Sequence, residues 1–474
     1  MTTLRWSALL LATLLATHVR AAVPTPTITG PITSPGGAFI TPPSGIDLSQ
    51  FGWVEQEFFV AGTARAYRSA LPLGADGNWT ATPDGATAPY KTRILVRRPT
   101  SPRKFNGTVI VEWLNVSGGL DAAPDWTFLH PFLKREGYAW IGVSAQFVGV
   151  EGGSSPLGLN LSLKAVSPAR YGSLSHPGDS FSYDMFSQVG QALRSPTVAT
   201  LLDGLAPRRV IAIGESQSAF RMTTYVNAIH PDTHVYDGFL IHSRGGGGAP
   251  LVDSQVVLGE GVARIRDDVD VPVLQFLTET DLFSVLGFHS ARQDDSDNLR
   301  TWEVAGTAHA DRSILDYNAQ MARDVAGGGF DLAAECGSIN EGSQAHVLRA
   351  AVAGLRAWVV DGEPPPQAPP LDVEGQAIAR DERGIALGGI RTPAVDAPIS
   401  VLTGEAPPGR SVLCLLFGDT RPFDAATVAA LYPTHQDYVD AVTESADAAV
   451  AAGFLRQAEA DDIVAAAGDA DVPS

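Results

Sequence analysis

The chain has 474 residues, 45% of them apolar and 18% charged, which is enough for a sizeable core and excludes wholesale disorder. Its 33 lysines and arginines face 52 aspartates and glutamates, a net charge of −19. Such a surface repels phosphate backbones and anionic headgroups, so no nucleic-acid partner and no membrane anchoring are expected.

Residues 1–21 read as an export signal: Arg5 in a short leading region, an apolar run from Ala8 to Ala16, and Val19-Arg20-Ala21 as a small-x-small cleavage site. The run is too short to cross a bilayer. A secreted or periplasmic protein beginning near residue 22 is the expectation. Residues 22–50, rich in Pro, Thr, Gly and Ser, form an extended leader, and β-forming runs at Glu57–Val60, Ala64–Tyr67 and Thr92–Val96 make a β-rich N-terminal segment.

Strands and helices then alternate. Thr108–Trp113 is a buried strand, Pro124–Glu136 a helix opened by proline and stopped by Gly137, and Tyr138–Ser144 the next strand. Residues 145–180 carry many Gly, Ser and Pro without periodicity, the pattern of a long functional loop that walls or covers a pocket. Beyond it come a helix at Phe181–Leu193, a strand at Arg209–Ile213, a helix at Gln217–Ile229, and strands at Gly238–His242, Val271–Leu277 and Thr301–Val304. Val347, Leu348, Ala351, Val352, Leu355, Trp358 and Val359 then mark the apolar stripe of a helix ending near Gly362, before the prolines of 364–370. Residues 371–405 look β-rich and 424–468 helical. The alternation predicts an α/β fold, a mostly parallel central sheet with helices on both faces. The expected organisation is a domain over 22–370 with an α-rich C-terminal extension, 371–474, packed on it.

The sharpest chemical signal is Gly214-Glu215-Ser216-Gln217-Ser218, where an apolar strand meets a helix in a turn of small residues. That context lifts a serine hydroxyl above a sheet edge as a nucleophile. A hydroxyl needs a general base, and the base needs an orienting acid. Of ten histidines, His18 leaves with the signal and His230, before Pro231, ends a helix at the surface. His309 follows the last clear strand in a Gly-x-x-His loop and is the expected base; His176 and His289 are alternatives that line the pocket. Asp281 is the expected acid and Glu279, two residues earlier, its alternative, otherwise paired with Arg300. Oxyanion donors are expected from the backbone N–H of Gln217 and that of Asn115 or Val116, in the Gly-rich loop after Thr108–Trp113. Trp113, Trp126, Phe128 and Phe147 are candidates for an apolar wall.

Neither Cys336 nor Cys414 lies in a CxxC or Cys/His cluster, so no metal centre is expected; export and a cysteine count of two predict one disulfide. Asp294, Asp295 and Asp297 lack regular EF-hand spacing and read as a solvated acidic loop.

The order Ser216, Asp281, His309 resembles that of the α/β-hydrolase superfamily. More narrowly, VEWLNVSGG, PDWTFLH, YGSLSHPGDSFSYD, GESQSA, FLTETD, AGTAHAD, CGSINEG and LFGDTRPFDAATVAALYPTHQDY resemble the bacterial family of alpha/beta hydrolase domain proteins, many of them exported. The resemblance spans most of residues 50–460. It implies an α/β-hydrolase fold and a serine esterase-like enzyme without a cofactor, acting on a small-molecule ester. Acyl transfer, lyase chemistry or non-catalytic binding on the same scaffold are the alternatives.

Overall fold

The apolar runs of the middle of the chain lie side by side, because strands this free of polar residues must be covered on both faces. The computed structural model describes residues 22–35, 38, 47–69, 72–155, 160–253, 259, 261–317, 332–342 and 344–472. Nine of its strands form one sheet, in the spatial order β1 (Thr27–Thr29), β2 (Trp53–Ser69), β3 (Ala81–Pro99), β5 (Ala139–Val143), β4 (Thr108–Trp113), β6 (Arg209–Glu215), β7 (Gly238–His242), β8 (Val273–Thr278) and β9 (Leu299–Val304). The expected export signal lies outside the described residues. Strands β4 (Thr108–Trp113), β5 (Ala139–Val143), β6 (Arg209–Glu215), β7 (Gly238–His242), β8 (Val273–Thr278) and β9 (Leu299–Val304) are parallel. Every residue of β4, β5, β7 and β8 is buried.

Side-chain alternation divides the core in two. Val109, Val111 and Trp113 point into one layer with Phe186, Met222 and Tyr225, from the helices on that face. Ile110 points into the other, with Phe132 of the helix Pro124–Glu136 and Val347, Leu348 and Leu355 of the helix Gln344–Asp361. Buried Glu112 fixes the start of Pro124–Glu136 by accepting the N–H groups of Asp125 (3.1 Å) and Trp126 (2.9 Å), a carboxylate at the positive end of a helix.

The N-terminal β segment is longer than its sequence suggests. Three short runs are legible, but the structure has a hairpin of β2 (Trp53–Ser69, 17 residues) and β3 (Ala81–Pro99, 19 residues), with β1 (Thr27–Thr29) on its outer edge. The exposed stretch 82–87 of β3, with Pro83, Asp84 and Gly85, has no apolar alternation to reveal it.

The segment 145–180 contains short helices at Phe147–Glu151, Leu163–Val166 and Pro168–Tyr171, and it is strapped down by charge. Glu57 of β2 accepts Arg170 (2.6 Å) and the Tyr171 hydroxyl (2.7 Å), while Asp179 accepts Arg221 (3.0 Å) from the helix Gln217–Thr224. That helix passes through a π turn at Tyr225–Ile229 into His230–Thr233. His230, read from sequence as a surface residue, is therefore only 1% exposed, with its ring against Phe239.

Residues beyond 370 hold less β structure than expected: a two-residue pairing of Val373–Glu374 with Ala377–Ile378, and Ser400–Thr403 with Asp419–Pro422. A parallel bridge from Val304 to Ile390 continues the sheet past β9. Helices at His435–Ala451 and Gln457–Asp469 follow; Ala449 and Leu455 enter the core beside Trp302, and buried Glu459 accepts Arg135 (2.8 Å).

Cys336 and Cys414 are joined in a disulfide that spans 78 residues of sequence. A cross-link closing so long a loop restricts the unfolded chain and contributes about 4 kcal/mol in the chain-entropy account. Replacing both cysteines by serine is expected to lower the free energy of unfolding by an amount of that order, measured by urea titration, and the native protein is expected to release two thiols only after reduction.

Candidate active site

Ser216 sits between the last residue of β6 and the first of the helix Gln217–Thr224, with φ 58° and ψ −120°. A side chain rarely adopts this backbone, and the surroundings impose it. The Ser216 N–H donates to the His242 carbonyl of β7 (3.0 Å), and strand and helix approach so closely that a Cβ on Gly214 would lie 2.9 Å from Met222 and 3.1 Å from Ser218. Small residues at 214 and 218 are the condition for the corner. The Gln217 N–H belongs to the first helical turn, where backbone donors have no intrahelical acceptor.

His309 arrives from the loop after β9. Its N–H donates to Thr280 Oγ1 (3.2 Å), its Nδ1 lies 2.7 Å from Asp281 Oδ1, and its Nε2 lies 2.8 Å from Ser216 Oγ. The three residues picked out in the sequence therefore converge, although 93 positions separate Ser216 from His309. Asp281 Oδ2 accepts the N–H (2.7 Å) and hydroxyl (2.9 Å) of Thr278, a capping box that holds the carboxylate in place.

Two details differ from expectation. The order of the two carboxylates suggests a strand that ends between them, but β8 ends at Thr278, before both, and Glu279 and Asp281 stand together on a helical turn, Glu279–Leu282. Glu279 does not pair with Arg300, which lies 3.8 Å from Asp295. It turns away from His309 to accept Gly306 N–H (2.6 Å), Gly404 N–H (3.0 Å) and Arg380 (2.9 Å). Glu279 thus binds the histidine loop and the C-terminal segment to the acid turn.

The Asn115 N–H donates to the Ala122 carbonyl (2.9 Å) in an antiparallel bridge, so it is engaged elsewhere and is withdrawn as an oxyanion donor; Val116 remains. The Asn115 side chain has a different task, donating to the Glu215 carbonyl and carboxylate (3.2 Å each). Glu215 was missed in sequence, though it immediately precedes the serine. Its Oε1 lies 3.3 Å from His309 Nε2, and burial pushes its carboxyl up to about 7. Burial alone would lower the His309 imidazole, but the neighbouring Glu215 and Asp281 carboxylates carry it above its ordinary 6.5.

Neither alternative histidine joins this group. His176 is buried with its ring on the Ala145 carbonyl (3.0 Å), and desolvation keeps its imidazole below the usual value despite that bond; His289 packs on Phe283. Trp113, Trp126 and Phe128 belong to the core, packing on Phe186, Trp140 and His242 respectively; of the four aromatic wall candidates only Phe147, 37% exposed, reaches the surface. Among the described residues one group of potential metal-ligand atoms converges: His230, His234 and Asp270, within 4.8 Å of one another. It precedes β8, at the opposite end of that strand from Asp281, and both rings already bond the Asp270 carboxylate (3.1 and 2.8 Å).

A serine on the strand–helix corner of a parallel sheet, faced by a histidine from the loop after the last strand, defines the α/β-hydrolase architecture. Residues 23–465 match the family described as Alpha/beta hydrolase domain, and the chain belongs to that family. Similar solved structures include an α/β serine hydrolase without lid from Xanthomonas campestris, at 12% identity over 56% of this chain and 95% of that one with a TM-score of 0.30. An esterase from Rhizomucor miehei shows 11% identity over 61% and 92% with a TM-score of 0.28. An α/β serine hydrolase homologue from Coxiella burnetii shows 13% identity over 50% and 92% with a TM-score of 0.30. No curated protein matches the chain.

The Glu279 contacts make a prediction about the acid turn. Glu279→Ala leaves Arg380, 18% exposed, without its buried partner and is expected to cost about 3 kcal/mol. Thermal unfolding of the variant checks this. Arg380→Met in the Glu279→Ala background is expected to recover part of the loss.

Proposed function

We propose that this protein is an exported serine hydrolase that cleaves carboxylic esters through an acyl-enzyme, with Ser216 as nucleophile, His309 as general base and Asp281 as orienting acid. The observation that carries this reading is the continuous line Asp281 Oδ1, His309, Ser216 Oγ, with links of 2.7 and 2.8 Å. Asp281 fixes the tautomer with hydrogen on Nδ1, leaving the Nε2 lone pair for the serine proton. As Oγ bonds the ester carbonyl carbon, that proton passes to Nε2, and the backbone N–H groups of Gln217 and Val116 receive the developing oxyanion. The proton then goes to the departing alcohol, and water repeats the sequence to release the acid. No step calls on a cofactor. Export rests on the sequence of residues 1–21 and accords with the disulfide.

Purified protein is expected to hydrolyse short-chain aryl esters at a rate unaffected by EDTA and to be labelled at Ser216 by a serine-directed organophosphonate, as read by peptide mass spectrometry. Ser216→Ala is expected to abolish both. Activity dependent on added metal, or labelling elsewhere, overturns the reading; transfer to an added alcohol without net hydrolysis moves it to acyltransfer.

Asp281→Asn removes the tautomer control and is expected to lower kcat roughly 10⁴-fold with the fold intact by circular dichroism. Because His309 accepts a proton only when neutral, activity is expected to fall as pH drops through a value above the ordinary 6.5 of histidine, measured as the acid limb of kcat/KM.

A further inference from the structure

The proposed reaction leaves one carboxylate at its centre without a role. Glu215 is 5% exposed, and its Oε1 stands 3.3 Å from the same His309 nitrogen that Ser216 Oγ approaches to 2.8 Å. The Asn115 amide holds it there through Oε2 (3.2 Å). Behind it, Glu215 and His242 are register partners on adjacent parallel strands, which puts their side chains on one face. His242 Nδ1 bonds Asp125 Oδ1 at 2.8 Å with both side chains fully buried, while His242 Nε2 and Asp125 Oδ2 have no hydrogen-bond partner among the described residues.

Buried polar groups are ordinarily paired, and a second histidine–carboxylate pair directly behind the serine strand requires a reason. The charges that face Glu215 supply it. His309 and Asp281 approach from the loops after β9 and β8, His242 from β7, and Asp125 from the start of the helix Pro124–Glu136. Asp311 acts on His242 and Glu112 on Asp125 one step further out.

We propose that Glu215, held by Asn115 and backed by the His242–Asp125 pair, is a positioning residue that supports His309 from its Nε2 side once the serine proton has arrived. The inference rests on the reading of Ser216 as nucleophile and His309 as base. Before attack, Nε2 accepts the Ser216 O–H. When the Oγ–C bond forms and the proton moves to Nε2, the imidazolium has a carboxylate at each nitrogen, Asp281 at Nδ1–H and Glu215 at Nε2–H. As the tetrahedral species collapses, the same proton leaves Nε2 for the alkoxide, and Glu215 neither gains nor loses one. A protonated Glu215 does the opposite: it offers Nε2 a hydrogen and competes with Ser216. Both effects place the loss of activity on the acid side.

The test is the rate of organophosphonate labelling of the full-length protein over roughly pH 5 to 9, since this readout needs no knowledge of the natural ester. The wild-type acid limb is expected above the ordinary histidine range, and a limb below it overturns the inference without any variant. In Glu215→Gln, which keeps the volume and removes the charge, the limb is expected to move to lower pH by about one unit. Its plateau is expected to fall roughly threefold to tenfold, because a less basic imidazole is a weaker general base. In Glu215→Asp, whose shorter carboxylate keeps the charge but withdraws from Nε2, the limb is expected to move the same way by less. A merely structural glutamate leaves the limb where it is while lowering stability, and an unmoved limb in whichever variant folds overturns the inference. Wild-type protein that is not labelled at Ser216 overturns the underlying reading and takes this one with it.

Discussion

The architecture around Ser216 follows from one strained residue. Its positive φ is tolerable only because strand β6 and the helix behind it are locked before and after the corner. The lock consists of the Ser216 N–H on the His242 carbonyl and the close approach of Gly214 to Met222 and Ser218. Removing the strain means moving either the central strand of a buried parallel sheet or a helix whose Met222 and Phe220 are only 0% and 2% exposed. Neither moves cheaply in a close-packed interior. The hydroxyl is therefore carried to the sheet edge by packing, and side-chain freedom contributes little to its position.

Around that corner the protein accepts a second cost, a crowd of buried carboxylates in an already acidic chain. Asp281, Glu215, Asp125, Asp311 and Glu112 are each 5% exposed or less, and the imidazoles of His309 and His242 stand between them. Desolvation raises the carboxyl groups of Glu215, Asp311 and Glu112, while Glu215 and Asp281 raise His309 against its own burial. The local fields come from groups fixed on strand ends and helix starts, so they are in place before any substrate enters.

Much of this was legible because it lies in short stretches of chain. The parallel strands announce themselves as apolar runs, and the corner at Ser216 as a turn of small residues between strand and helix. His309 and Asp281 were found from chain order and from their positions after strands. What could not be read depends on partners distant in sequence. Glu279 and Asp281 are two residues apart, and only the arrival of Arg380 and Gly404 separates a carboxylate that holds the loop from one that reaches the histidine. Asn115 looked like a backbone donor until Ala122 closed a bridge across its loop. The long hairpin was concealed by an exposed stretch of β3, where no core face imposes alternation. Glu215 was visible as a letter beside the serine, but its role depends on where a histidine 94 residues later places its ring.

The grip of the C-terminal segment on the histidine loop has a consequence for biosynthesis. Gly404 and Arg380 hold Glu279, Asn340 donates to the Gly306 carbonyl (3.1 Å), and Ala310 N–H bonds the Leu416 carbonyl (2.9 Å). A ribosome delivers Ser216 and the whole parallel sheet well before it delivers these braces. Until they have emerged, the loop that carries the imidazole has only the acid turn, through Glu279 and Thr280, to lean on. A chain cut short before its end thus carries the serine corner without the C-terminal supports of the histidine loop. Competence is tied to completion of the molecule.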